Sequence, residues 1–237
     1  MKGWMINMKR DTTTNISHII IGDTILKTVD TQTGTKILSK LNPHKSIDFS
    51  NQSNISQASI GTKVMIEWDD PSRYNHLYSN WLEFVHMATI HKIDEENNQV
   101  LIILDDCVEL QRIDRKSNCD FRTSELYEWL NTKFLLNLPG DIRARIKEVT
   151  IPTCGMILGH DKKSININSN DKLDMMLSVR YRISPYNNKL QSYWTQTKES
   201  KNKFICINSN GSSYNFKNPT EKHGIRPMFW MKFGSIN

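Results

Sequence analysis

Long apolar runs and an apolar leader are both missing from this sequence. No run approaches the ~20 apolar residues that a membrane-spanning helix needs, so we expect no membrane span. The first ten residues, Met1 to Arg10, lack the apolar core of a signal peptide. The sequence therefore predicts a protein that is made and folded in a cytoplasm.

Residue spacings typical of metal centres are also missing. The four cysteines form no CxxC pair, so we predict reduced thiols and neither a zinc site nor a redox motif. His86 and His91 lie five residues apart, which places them on opposite faces of a strand, and neither has a partner at metal-ligand spacing. We expect structural or exposed histidines, and no bound metal or other cofactor.

Catalytic motifs are absent as well. The sequence contains no glycine-rich phosphate loop, no HExxH motif and no nucleophile elbow. The adjacent acids Asp69-Asp70 and Asp105-Asp106 are ordinary at strand ends, where neighbouring side chains diverge. We therefore predict that the protein is not an enzyme.

The composition is that of a folded protein with an excess of positive charge. With 237 residues, of which 38% are hydrophobic, the chain can bury a core without disulfides. A net charge of +6 would suit an anionic partner such as nucleic acid or teichoic acid. Basic residues are concentrated only at 198–203 and 217–222, which favours a solvated face over a nucleic-acid groove.

The N-terminal part has the pattern of a small β-element. His18 to Val29 is β-like, a turn follows at 31–35, and Lys36 to Leu38 completes a predicted hairpin. Residues 42–59 are polar, as in a linker or extended arm. We predict an assembly element over residues 1–57, which is too small to fold alone and packs on the main domain or on another subunit.

Residues 58–237 form the predicted main domain, which begins with strands. Residues 60–66 alternate apolar and polar positions, and 84–93 with 100–104 form a predicted hairpin. Between these strands, residues 68–80 are predicted to be a loop insertion.

Two helices are predicted next. Thr123-Ser124 supplies an N-cap, after which Leu126, Trp129, Leu130 and Phe134 share one apolar face. Pro139 opens the second helix, with an apolar i, i+4, i+7 pattern at Ile142, Ile146 and Val149. Residues 158–161 and 164–171 are predicted loops, and 173–179 is a short helix or strand.

The C-terminal part contains an aromatic pair and two predicted strands. Tyr193-Trp194 precedes the apolar run Phe204 to Ile207, and Asn210-Gly211 signals a hairpin turn. Met228 to Phe233 is too apolar for a surface tail, so we predict a buried closing strand.

The order of these segments resembles an uncharacterised bacterial and phage domain family. Its members carry Trp-Trp-Leu-Arg-Ser-Pro, then a strand with a glycine turn, then Gly-Val-Arg-Pro-Ala-Leu-Trp-Leu. Here the matching stretches are Tyr193 to Thr197, Phe204 to Gly211 and Gly224 to Trp230, and the family's Leu-x-x-Trp-Leu-Asn-x-x-Phe helix matches Leu126 to Phe134. Thr195-Gln196-Thr197 departs from the usual Leu-Arg-Ser.

The family is similar in turn to C-type-lectin-like and sulfatase-modifying-factor-like folds. The resemblance implies an α+β, C-type-lectin-like domain of mixed short strands with two helices, preceded by the N-terminal β-hairpin and arm. It also implies a structural motif, whose residues are Trp129, Trp194, Gly224, Arg226, Pro227 and Trp230.

The sequence predicts neither the calcium binding of true C-type lectins nor the paired-cysteine chemistry of sulfatase-modifying enzymes. Calcium-binding lectins need an acidic loop, whereas the nearest match, Asn218-Pro219-Thr220, lacks the acid. Sulfatase-modifying enzymes use two nearby cysteines, whereas Cys206 is alone in its region.

A candidate ligand-binding surface combines flat rings with amide groups near the predicted turn. Loops on a rigid scaffold commonly carry recognition, and these residues suit a sugar or protein contact; an ordinary polar loop is the simpler alternative. The candidates are Tyr193, Asn208, Asn210, Tyr214, Asn215, Phe216 and Lys217.

The functional hypothesis from the sequence is a non-enzymatic structural or host-surface-recognition component of a phage or phage-tail-like particle. Its expected partners are other protein subunits and a cell-surface glycan. The alternative is a cytoplasmic phage or bacterial regulator or inhibitor that binds a host protein, with nucleic acid a weaker option.

Overall fold

The computed structural model describes residues 6–11, 16–21, 24–28, 59–67, 85–138, 140–159 and 173–232. The chain divides into two compact units, residues 1–46 with 71–84 and residues 47–70 with 85–237. The described residues are mostly β-strand with few short helices, which is compatible with the predicted α+β class. Within those ranges, no helix has the length and apolar character needed to cross a membrane.

The first unit contains a three-stranded antiparallel sheet in the order β1-β2-β3. Its strands are β1 (Ile6–Asp11), β2 (Ile16–Ile21) and β3 (Thr24–Thr28). The β-like character predicted for 18–29 is confirmed over 18–21 in β2 and over 24–28 in β3. β2 pairs with β3 in antiparallel register, with Ile21 opposite Thr24 and Ser17 opposite Thr28. The predicted turn at 31–35, its partner 36–38 and the arm at 42–58 lie outside the described residues.

Sheet I is an antiparallel five-stranded sheet in the second unit, in the order β4-β5-β6-β15-β8. Its strands are β4 (Lys63–Glu67), β5 (Val85–Asp94), β6 (Gln99–Leu104), β8 (Ile146–Thr150) and β15 (Met228–Lys232). The predicted β5–β6 hairpin is confirmed by the pairing of Asp94 with Gln99. The predicted closing strand is also confirmed, since β15 lies between β6 and β8; Phe233 is outside the described residues.

Sheet II is a second five-stranded sheet in the same unit, in the order β13-β12-β11-β14-β7. Its strands are β7 (Glu109–Gln111), β11 (Tyr193–Ser200), β12 (Lys203–Ile207), β13 (Tyr214–Lys217) and β14 (His223–Ile225). Only β11 and β14 pair in parallel among these neighbours. A small antiparallel pair, β9 (Pro185–Tyr186) and β10 (Lys189–Leu190), precedes β11.

The first predicted helix and its cap are confirmed. The Ser124 hydroxyl accepts a hydrogen bond from the Tyr127 amide at 3.2 Å, and the helix Glu125–Trp129 continues as a π-helical turn, Leu130–Phe134. The residues of the predicted apolar face are buried as expected, with Trp129 half-buried beside the core.

The second predicted helix is wrong beyond its first turn. The helix Gly140–Arg143 ends early, and the chain then forms β8. Apolar spacing cannot separate a helix from a strand in a short segment. Here the β-branched residues Ile146 and Val149 are buried opposite Met231 and Phe229 of β15, so strand pairing overrides the helical pattern.

The stretch between β8 and β11 contains further short helices. The chain forms an α-helix at Cys154–Leu158, a 3₁₀ helix at Asp174–Leu177 and an α-helix at Val179–Arg182. The last two resolve the helix-or-strand ambiguity at 173–179 in favour of helix. Residues 160–172, which include the predicted loop at 164–171, lie outside the described residues.

Two clusters of buried side chains form the core of the second unit. The first joins sheet I to the helix of Leu126, Leu130 and Phe134 and to Trp194 of sheet II. The second includes Leu101 and Ile103, which alternate in β6 with members of the first cluster. The two clusters therefore lie on opposite faces of β6, because successive side chains of a strand point to opposite faces.

Candidate functional site

The β12–β13 hairpin carries most of the predicted ligand-binding residues. Its turn is built by asparagines: the Asn208 amide donates to the Ser213 carbonyl at 2.9 Å, and the Asn210 side-chain oxygen accepts from the Ser212 amide at 3.1 Å. Gly211 has a φ of +66°, a left-handed conformation that glycine adopts without strain. The predicted turn is therefore confirmed, and Asn210 has a role in shaping it.

Side-chain amides connect the turn to the edge strand β13. The Asn215 side chain donates to the Asn208 side-chain oxygen at 2.8 Å, and Asn208 donates in turn to the Ser213 hydroxyl at 2.6 Å. These bonds occupy part of the hydrogen-bonding capacity of both amides and hold them in fixed directions. The amides therefore form an ordered polar surface.

Two aromatic rings stand next to this polar surface. Tyr214 and Phe216 contact edge to face, with ring centroids 5.6 Å apart. Tyr214 packs against the second core cluster, whereas Phe216 is 40% exposed. Lys217 pairs with Glu221 at 3.3 Å. The hairpin thus brings six of the seven predicted residues together: Asn208, Asn210, Tyr214, Asn215, Phe216 and Lys217.

Tyr193 does not join that surface, because it is fully buried. Its hydroxyl donates to the Arg182 carbonyl at 2.8 Å, and burial raises its pKa to about 12. Its sequence neighbour Trp194 is also fully buried, so both faces of β11 are covered at this point. An aromatic pair alone does not indicate which of its rings is accessible.

The residues of the predicted structural motif lie in or beside the core. Arg226, which is 1% exposed, donates to the Leu104 carbonyl at 2.6 Å and to the Tyr181 carbonyl at 2.8 Å. Gly224 packs so closely against Cys107 that an added Cβ would overlap the sulfur atom. Pro227 is buried, and its carbonyl accepts from the Leu104 amide at 3.0 Å.

A polar network on sheet I was not predicted from the sequence. The Lys63 ammonium donates to Asp105 at 2.6 Å and to Thr89 at 2.7 Å, and the Thr89 hydroxyl donates to Asp105 at 2.6 Å. Lys63 and Thr89 are opposite each other in the β4–β5 register. The polar residues Lys63 and Thr89 within otherwise apolar strands were the sequence signal for this network. The sequence could not show that Asp105 joins them, because its position beside Lys63 depends on tertiary packing.

His91 lies near this network at an irregularity between Ile90 and Lys92 in β5. It is 3% exposed, and within the described part of the chain neither of its ring nitrogens has a hydrogen-bond partner. Burial, with the Arg226 charge second, lowers its pKa to about 3. The predicted structural role of His91 fits this buried, neutral ring.

The cysteines are free thiols in the structure. Burial raises the pKa of Cys107 to about 11 and that of Cys206 to about 12, and partial burial raises that of Cys119 to about 11. Such thiols are weak nucleophiles at neutral pH, because the thiolate is the reactive form. Within the ranges given above, no group of three or more histidine, cysteine, aspartate or glutamate residues has the arrangement of a metal site.

Residues 97–163 match a family model described as Domain of unknown function (DUF6273). The matched segment contains β6, β7, the helix beginning at Glu125, and β8. It covers less than a third of the chain and does not include the β12–β13 hairpin. No curated protein and no solved structure matches the chain.

Proposed function

We propose that this protein is a non-enzymatic recognition component of a phage or phage-tail-like particle, and that its β12–β13 hairpin contacts another protein. The observation that carries the contact is that β13 ends the strand order of sheet II in the described part of the chain, with its middle residues Asn215 and Phe216 both exposed. An exposed edge strand presents backbone donors and acceptors to which a partner strand adds. An accessible aromatic ring beside it supplies apolar contact area.

Among the described residues, three side chains of types that often act in catalysis, Arg226, Lys63 and His91, have structural surroundings. Arg226 is bonded to backbone carbonyls, and Lys63 is bonded to Asp105 and Thr89. The ring of His91 is buried and neutral.

The finer fold assignment is also a proposal, namely that residues 58–237 form a C-type-lectin-like domain after an N-terminal assembly element at 1–57. Its support is the Gly224 to Pro227 segment, which connects β14 of sheet II directly to β15 of sheet I. The particle itself is supported by the resemblance of the C-terminal segments to a family found in bacteria and phages.

Density-gradient sedimentation of a lysate from cells that express the particle tests this function. We expect the chain to sediment with particles, and Phe216→Ser to reduce that fraction. Leu190→Ser is the matched control, because Leu190 is also an exposed apolar side chain, at 56%. A wild-type chain that stays in the slow fractions bound to a host protein would contradict the particle role and favour the regulator.

A further inference from the structure

A groove lies beside Trp230, on a surface separate from the β12–β13 hairpin. It has a volume of about 390 Å³ and is lined by residues of β8 and β15 together with Gln99, Ala144 and Arg145. This volume is within the range of small-ligand sites, roughly 300–1,000 Å³. The groove shares no residue with the β12–β13 hairpin, so the inference does not rest on the proposed function.

The indole of Trp230 supplies a flat apolar surface in the groove. Trp230 lies opposite Leu101 in the β6–β15 register and packs against the second core cluster, yet it stays half-exposed. The core contact therefore supports the ring from one side, and the groove gives access to it. An aromatic face of this kind is suited to stacking against the ring of a ligand.

The rim of the groove is positively charged. Arg145, Lys147 and Lys232 line it, with Glu148 as the only acid among the described lining residues. The Glu148 carboxylate already accepts hydrogen bonds from Arg122 and from the Tyr127 hydroxyl, the latter at 2.6 Å. Oε1 of Glu148 accepts both of these bonds, whereas Lys147 and Lys232 are exposed.

We propose that this groove binds an anionic sugar, with the sugar ring stacked on Trp230 and its acidic group paired with the rim lysines. The combination of one supported indole and two exposed ammonium groups matches a ring with a phosphate or carboxylate substituent. Single-stranded nucleic acid fits less well, because such sites follow at least about four nucleotides with successive stacking rings. Among the lining residues that the structure describes, Trp230 is the one accessible aromatic ring, beside the buried Phe229.

Binding of glucose 6-phosphate, followed through the Trp230 indole resonance in ¹H–¹⁵N NMR spectra, tests the site. Glucose and inorganic phosphate are measured separately, and both should bind more weakly than glucose 6-phosphate. Lys147→Glu with Lys232→Glu should weaken binding roughly tenfold or more, since each removes a charged hydrogen-bond donor. Lys201→Glu with Lys222→Glu changes the net charge equally at exposed positions outside the groove, and should leave binding unchanged.

Three outcomes would overturn the proposal. They are equal weakening by both double variants, inorganic phosphate binding as tightly as glucose 6-phosphate, and a ten-residue deoxythymidine oligonucleotide that shifts the same indole at lower concentration.

A second comparison distinguishes a surface glycan from a free sugar phosphate as the ligand. Binding of a phosphate-bearing glycan polymer is compared with binding of glucose 6-phosphate. Tighter binding of the polymer per phosphate group indicates a surface glycan, and equal binding indicates a free sugar phosphate. Unchanged melting temperatures in all variants establish that lost binding is not lost folding.

Discussion

The Arg226 guanidinium donates to the carbonyl oxygen of Leu104 at 2.6 Å, although the two residues are 122 positions apart in sequence. Leu104 ends β6, and Arg226 lies between β14 and β15. The same guanidinium also donates to Tyr181 and lies 5.6 Å from the Tyr193 ring centroid. One buried side chain thus joins four separate segments of the second unit.

Replacing Arg226 should therefore destabilise the fold. Arg226→Met removes the donors and leaves the Leu104 and Tyr181 carbonyls without them, at about 1–3 kcal/mol for each buried group. Urea unfolding followed by circular dichroism measures the loss. Arg122→Met is the control, because Arg122 is exposed and its ion pair with Glu148 is worth about 1 kcal/mol or less. Equal losses in the two variants would show that Arg226 is not a structural link.

Trp194 should be a second residue on which stability depends. It is fully buried, and its indole Nε1 donates to the Gln111 carbonyl at 2.9 Å. Trp194→Ala should lower the free energy of unfolding by about 3–5 kcal/mol through lost packing. That is a large share of a typical ~5–15 kcal/mol. Trp129→Ala at the half-buried indole should cost less; an unchanged melting temperature for Trp194→Ala would refute the core assignment.

Stability should fall in mild acid because His91 is buried as a neutral ring. Its pKa is about 3 in the folded protein against 6.5 when unperturbed. Between these values the unfolded chain binds a proton that the native chain does not, so acidification favours unfolding. The free energy of unfolding should fall by about 1.4 kcal/mol per pH unit in that window, with no contribution above it.

His91→Phe isolates this contribution, because His86, whose pKa burial lowers to about 4, acts in the same direction. The charged groups that act on His91, namely Arg226, Asp105 and Lys63, remain in the variant. Unfolding in urea from pH 7 to pH 4 should show a shallower pH dependence for His91→Phe than for the wild type. Identical slopes would mean that His91 is protonated in the native state.

The second unit should fold without residues 1–57. Both five-stranded sheets lie within 59–67 and 85–232. Glu67 and Val85 are directly opposite each other at the ends of β4 and β5, so an Asn-Gly turn can replace residues 68–84. We expect the shortened chain to unfold cooperatively in calorimetry and to lose incorporation into particles.

Deletion of 1–57 alone, with 68–84 retained, is the matched variant for this experiment. Cooperative unfolding of either chain without loss of incorporation would contradict the assembly role of the N-terminal region. An unfolded product from both would instead place that region within the cooperative core. The two sites proposed above lie outside the deleted residues and remain available for binding measurements.

The sequence was sufficient to predict features whose stabilising contacts lie within one short segment. Ser124 caps the helix that follows it, and the asparagines and Gly211 of the β12–β13 turn form bonds within the turn itself. The closing strand was equally predictable, since Met228 to Met231 is continuously apolar and Met228, Phe229 and Met231 are buried. The cap and the turn depend on hydrogen bonds between residues a few positions apart, and the closing strand is marked by its continuous apolar run.

Tertiary structure alone decided the features that depend on distant partners. Ile146 and Val149 fit a helix by spacing, and only pairing with β15 made them part of a strand. Tyr193 is not part of the candidate surface, because the core covers the face of β11 on which it lies. Asp105 forms an ion pair with Lys63, because the packing of β4 against β5 brings Lys63 next to it. The groove beside Trp230 likewise exists only where β8 meets β15. A residue's own neighbours in sequence set its backbone preference, whereas its exposure and its charge partners are set by strands that pack beside it from elsewhere in the chain.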